Sequence, residues 1–256
     1  MSLLDQVAPA PRKVMTLFYV VDTSGSMSGD KLGSVNSAME EAIASDLPEI
    51  SAANDDAEIR VAIMDFSSGC SWITPDSGPI EIGDVIWNDL NAGGLTDLGA
   101  ACIELDKKLS RTGFLQSQTG AYAPVILLFS DGEPTDDWEK GLKQLKLNNW
   151  FKHAIKIAIA IGDDADKDVL AQFTGTPESV ITVHDKQTLK VLIKKVSVRA
   201  SEFQSHSKQS SDVVTSAEED SAAIAKEVST DIAGDNATTT NTGSIDVSVD
   251  PSWGQW

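Results

Sequence analysis

The sequence predicts an α/β fold: a doubly wound, mainly parallel, Rossmann-like sheet with helices on both faces. Nearly continuous apolar runs at 14–21 and 124–130 each lead into an aspartate, Asp22 and Asp131. Such runs read as strands covered on both faces, because a strand with one wet face alternates polar and apolar residues. Segments with apolar residues three and four apart follow them, so strand and helix patterns alternate along 14–199. A hydrophobic content of 41% in 256 residues is enough for a sizeable core.

Taken in order, the first strand at 14–21 runs into a Ser/Gly loop. Leu32, Val35, Met39, Ile43 and Leu47 then give an amphipathic helix, expected to stop before Pro48 because a proline ring clashes with the carbonyl four residues back. The second strand is 59–66, with a short partner at 71–74 ahead of a Gly-, Pro- and Asp-rich stretch. A helix at 98–109 follows the sequence GGLTD. Strands are then expected at 124–130, 155–161 and 180–184, and helices at 138–147, 167–173 and 187–199. In open parallel sheets ligands bind beyond the carboxyl ends of the strands, where Asp22 and Asp131 stand.

The chain divides into an N-terminal extension (1–13), a domain (14–200) and an acidic tail (201–256). The tail is rich in Ser, Thr, Asp, Glu and Ala, with few large apolar residues to offset its ordering entropy, and is expected to be disordered. Within 243–256, Ile245, Val247 and Val249 alternate, and Trp253 and Trp256 follow. That pattern suits strand addition to a partner's sheet edge with aromatic anchors, a second and metal-independent attachment point; the alternative is that this end folds back on its own domain. Thr215 and Ser216, ahead of Glu218 and Glu219, are candidate phosphate acceptors.

The net charge is −19: residues 1–200 carry 18 basic and 29 acidic side chains, and 201–256 carry 2 and 10. An acidic field with no basic patch excludes nucleic acid as the expected partner. The two cysteines, Cys70 and Cys102, have neither CxxC spacing nor a histidine pair and read as reduced. The run at 14–21 is too short to span a bilayer, and the first residues lack a charged start followed by an apolar stretch. A cytoplasmic protein without membrane attachment is the expectation.

The segment VVDTSGSMSG sets Asp22, Ser24 and Ser26 at alternate positions just past a strand, with glycines that permit tight turns. Thr96 of GGLTD adds a hydroxyl, and Asp131 of LLFSDGEPTD a second carboxylate. All five offer hard oxygen, suited to Mg²⁺, Mn²⁺ or Ca²⁺ rather than zinc or copper.

This order, DxSxS then Thr then Asp, resembles the metal-ion-dependent adhesion site of von Willebrand factor A domains at every ligand position over 14–200. The resemblance implies that Ser24, Ser26 and Thr96 ligate the cation directly, and Asp22 and Asp131 directly or through water. It also implies that a Glu or Asp of a protein partner completes the coordination sphere. The stretch YVVDTSGSMSGDKL is further similar to bacterial tellurium-resistance-associated, TerY-type proteins. That likeness implies stress response or phospho-signalling beside a Ser/Thr kinase and a phosphatase.

Other readings of the same residues are weaker. An aspartyl-nucleophile phosphatase needs an acid two residues after Asp22, where Ser24 stands. In GSMSG the centre of a G-x-S-x-G elbow is Met27. The run DDADKD at 163–168 lacks the Gly and terminal Glu of an EF-hand. His153, His184 and His206 are scattered. Asp65 and Asp97 are expected as turn caps or as second partners of the site, and Asp136 and Asp137 as the start of the helix containing Trp138. The chain is therefore expected to be a non-enzymatic adaptor. Its alternatives are a metal-dependent phosphohydrolase and a substrate-presenting adaptor of an AAA+ machine.

Overall fold

Side-chain alternation along β1 (Lys13–Asp22) divides the core in two. Met15, Leu17, Tyr19 and Val21 enter one cluster, Phe18 and Val20 the other, and all are buried. The computed structural model describes residues 12–206 and 216–238. After β1 come α1 (Asp30–Glu41), α2 (Leu47–Ala53), β2 (Ala57–Ser67), β3 (Gly69–Trp72), β4 (Ile80–Glu81), α3 (Leu98–Lys108) and β5 (Val125–Ser130). Then follow α4 (Trp138–Leu145), α5 (Asn149–Lys152), β6 (Ile155–Ile161), α6 (Lys167–Thr174), β7 (Val180–Val183), α7 (Lys186–His206) and α8 (Ala217–Thr238).

The sheet order is β3-β2-β1-β5-β6-β7, with β4 also on β2. The strands from β2 to β7 in that order run parallel, while β3 and β4 pair with β2 antiparallel. Helices α1, α2, α7 and α8 cover one face, and α3 to α6 the other. On the second face β6 presents Ala158 and Ala160, which leave room for Phe151 and Phe173, packed edge-to-face at 5.5 Å. Tyr19 crosses the first core, and its hydroxyl meets Ser197 of α7 at 2.9 Å, so its polar end is satisfied.

Helices α3 and α4 come backbone to backbone at Gly99 and Gly141. A Cβ on Gly141 would stand 2.4 Å from the Gly99 carbonyl oxygen, so neither glycine admits a larger residue without movement.

Pro48 does not end the first helical segment. A π-helical turn at Ala42–Asp46 joins α1 to α2, and the Leu47 N–H donates to the Ala42 carbonyl, five residues back. The wider turn gives the ring of Pro48 space where a regular helix would clash.

The tail reading needs correction for 217–238, which form α8. Its Ile224, Ala225, Val228 and Ile232 recur at helical spacing and bury against the α7 side of the core. Helix α8 covers a part of β6 that β7 leaves unpaired, since β7 pairs with 158–161. The Lys156 N–H there donates to Ser221 Oγ at 3.0 Å. The Lys156 side chain is also buried, donating to the Phe151 carbonyl at 3.2 Å and to Glu218 at 3.3 Å. Burial pushes its pKa down, against the pull of Glu218. Few large residues suffice here because the sheet edge supplies the complementary surface. Helix α7 also runs past 199 to His206. The N-terminal extension up to 11, Thr215 and the segment 243–256 lie outside the described residues.

Candidate metal centre

β1 and β5 are neighbours whose connections leave in opposite directions, β1 toward β2 and β5 toward β6. A crevice opens at such a switch point, beyond the carboxyl ends of the two strands. Asp22 closes β1 and Asp131 follows β5, so both aspartates stand there.

Asp22 is fully buried and pinned from two sides. The Ser24 N–H donates to its Oδ1 at 2.8 Å, and Ser130 Oγ donates to its Oδ2 at 2.6 Å. A short 3-10 turn, Gly25–Met27, then brings the Ser24 and Ser26 hydroxyls within 3.0 Å of each other, anchored by buried Met27. The loop carrying Thr96 packs along this turn: the Gly93 N–H donates to the Thr23 carbonyl at 2.8 Å, and the Gly25 N–H to the Gly94 carbonyl at 3.2 Å. Gly94 has φ +79°, and a Cβ there would meet Ser68 Oγ at 2.6 Å, so the close approach requires glycine. Thr96 is buried, and its backbone is tied to the turn after Asp131. Its N–H donates to Thr135 Oγ1 at 3.0 Å, and the Thr135 N–H donates to its carbonyl at 2.9 Å.

Asp131 is 1% exposed. Its Oδ2 accepts from Lys31 Nζ at 3.1 Å, while Oδ1 is buried with no hydrogen-bond partner among the described residues. Lys31 also reaches the Asp164 carboxylate at 2.9 Å. Burial works to lower its pKa, but the hydrogen bonds to Asp164 and Asp131 outweigh it and hold the ammonium above its ordinary value. Burial raises the pKa of Asp22, with Ser130 and Ser24 opposing and the Asp131 charge adding to the rise. A cation between the two carboxylates would reverse that trend, since it favours the ionised form.

These residues fit a divalent cation. An orphaned buried carboxylate oxygen is costly unless something electropositive meets it, and the surrounding hydroxyls and second carboxylate are hard oxygen donors. Among the described residues no group of three or more His, Cys, Asp or Glu could hold a metal, so a thiolate-imidazole or carboxylate-rich site has no seat there. The cavity of about 680 Å³ bordered by Glu58, Arg60, Arg111 and Phe114 lies at the amino ends of β1 and β2, away from these loops.

Asp22, Ser24 and Ser26 are thus in one hydrogen-bonded turn, and Asp131 and Thr96 are on the loops beside it. Asp65 accepts from Ser71 at 2.5 Å and from Thr23 at 3.4 Å, and Asp97 accepts the Gly69 N–H at 2.7 Å, so both brace the loops around the site. Asp136 accepts the Gly99 and Ala100 N–H groups, both at 3.1 Å, and so caps α3 rather than the helix of Trp138. His184 meets Asp163 at 2.6 Å. Sequence reasoning missed Ser130, Thr135, Lys31 and Asp164. Ser130 and Thr135 flank Asp131 in the same short segment, which is the one signal they offered.

No curated protein matches the chain in sequence. Among solved structures it is similar to proximal thread matrix protein 1 from the mussel byssus, with 17% identity and a TM-score of 0.54 over 74% of this chain and 48% of that one. A von Willebrand factor type A protein from Catenulispora acidiphila is 15% identical, with a TM-score of 0.53 over 74% of this chain and 43% of that one. The chain therefore spans less than half the length of either. The manganese-loaded TRAP protein of Plasmodium vivax gives 18% identity and a TM-score of 0.50, over 71% and 72% of the two chains. At these identities the likeness is one of fold. A family model for the von Willebrand factor type A domain matches residues 17–195, and with the sheet order and the switch-point loops already described, this chain belongs to that family.

Proposed function

We propose that the chain is a non-enzymatic adaptor that grips a partner's Glu or Asp through a divalent cation held by Asp22, Ser24, Ser26, Thr96 and Asp131. The observation that carries this reading is the buried Oδ1 of Asp131, without a hydrogen-bond partner among the described residues, on a loop beside the strand end that carries Asp22 and the Ser24–Ser26 turn. When bound, the cation supplies Lewis acidity toward an anionic oxygen. The chain's own part is to fix two carboxylates and three hydroxyls on three loops. Neutral hydroxyls leave more positive charge for the partner than an all-carboxylate shell would. Two structurally similar proteins bear on the metal: a mussel byssus structure has a zinc-occupied adhesion motif, and the Plasmodium protein is manganese-loaded. The oxygen donors here favour Mg²⁺ or Mn²⁺, with Ca²⁺ the next candidate.

The setting we propose is cytoplasmic, in a stress-response or phospho-signalling system of the tellurium-resistance type, with a Ser/Thr kinase and a phosphatase as associates. The segment 243–256 would add a second attachment point. Among the described residues no helix is long and apolar enough to cross a membrane.

Affinity capture with and without EDTA, followed by mass spectrometry, tests the reading. Asp22→Ala and Thr96→Ala should each abolish the EDTA-sensitive captures while the fold survives. Capture that persists in EDTA and in both variants rejects it, and metal-dependent phosphoester hydrolysis lost in Asp131→Ala would favour the phosphohydrolase alternative.

A further inference from the structure

Lys31 places an ammonium on the carboxylate that the cation also needs. It sits in the first turn of α1, its side chain 20% exposed, 3.1 Å from Asp131 Oδ2 and 2.9 Å from Asp164. The position is built into the backbone. Gly162 has φ +95°, and a Cβ there would stand 2.8 Å from Lys31 Cε and 2.7 Å from Asp164 Oδ1. A side chain at 162 would therefore push the ammonium out of its seat. Asp131 uses its two oxygens differently: Oδ2 accepts from Lys31, and Oδ1 is buried with no hydrogen-bond partner among the described residues.

We infer that Lys31 is a positioning residue with two opposed effects, weakening the bare site's hold on a divalent cation and strengthening the loaded site's hold on a carboxylate. The inference rests on the proposed cation site. Asp22, Asp131 and Lys31 together carry one negative charge, so a divalent cation leaves the site with one positive charge. The same site without Lys31 would be neutral once loaded. Asp164 is 66% exposed, so water screens its charge more than those of the buried carboxylates of Asp22 and Asp131. Like charges held close in a mostly buried site oppose cation entry, and the surplus positive charge then attracts a partner's carboxylate. Lys31 thereby makes cation retention depend on the partner.

The test measures two constants on the full chain: Mn²⁺ binding by calorimetry, and acetate binding to the Mn²⁺-saturated protein by water-proton relaxation. Lys31→Met should bind Mn²⁺ about tenfold more tightly and acetate about tenfold more weakly. Lys31→Arg should stay near the parent protein on both. A packing defect would weaken both constants, so the opposite signs separate the proposed role from a structural one. Constants in Lys31→Met that are unchanged, or that move together, overturn the inference. If Mn²⁺ binding in the parent is lost in Thr96→Ala yet Lys31→Met changes nothing, the cation site stands and this inference alone falls. Absence of Mn²⁺ binding in parent and variant alike overturns both.

Discussion

Ser130 on β5 donates its hydroxyl to Asp22 Oδ2 on β1 at 2.6 Å, joining the two central strands at the mouth of the crevice. Ser130 Oγ in turn accepts the Gly132 N–H at 2.8 Å. Ser130→Ala removes both bonds at once, leaves Asp22 held at Oδ1 by the Ser24 N–H and deprives the buried Gly132 N–H of its acceptor. Stability should fall by about 1–2 kcal/mol in urea denaturation, and Mn²⁺ affinity by about tenfold in calorimetry. An unchanged dissociation constant would show that Asp22 needs no such brace.

The pKa of Asp22 is raised by burial, so the native protein keeps this proton to higher pH than the unfolded chain does. Without added cation, the contribution of Asp22 to stability declines as pH rises from the ordinary Asp value through the raised one. Cation binding needs the ionised form, so the thermal shift produced by Mn²⁺ should grow over that same window. Asp22→Asn should have a higher Tm than the parent in EDTA near neutral pH and show no shift with Mn²⁺. Thermal scans from about pH 4 to 7 check both signs.

Removing 207–256 strips α8 from β6, leaving Lys156 without Glu218 and exposing the surface that Ile224, Val228 and Ile232 cover. A loss of several kilocalories of apolar burial corresponds to a Tm drop of about 10 °C for a domain of this size. Mn²⁺ affinity should stay within about twofold, because α8 attaches at the amino end of β6, opposite the loops of the proposed cation site. Differential scanning calorimetry beside Mn²⁺ titration separates the two outcomes.

The sheet was legible because β1, β5 and β6 are apolar on both faces, a pattern that only a doubly covered strand needs. The spacing of Asp22, Ser24 and Ser26 was legible for a similar reason, since it lies within one turn. Contacts made across the fold left less trace. Nothing near Lys31 in sequence announces Asp131 or Asp164, and the cap that Asp136 gives α3 spans 37 residues. Pro48 misled because local sterics favour a break, whereas the π-helical turn absorbs the ring at a cost that packing of α1 and α2 offsets. Helix α8 was missed because composition measures how much apolar surface a segment owns, and α8 relies on surface that β6 and α7 already expose.

The bare glycine crossing of α3 and α4 ties these elements into one larger division of labour. Thr96 leads into α3 and Asp131 into the turn before α4, and with Gly99 and Gly141 in backbone contact those helices form a single block on one side of the sheet. Asp22, Ser24 and Ser26 lead instead into α1, on the other side. The five candidate residues thus stand on loops that lead into opposite layers of the molecule, and the mouth between β1 and β5 is where those two layers share one surface.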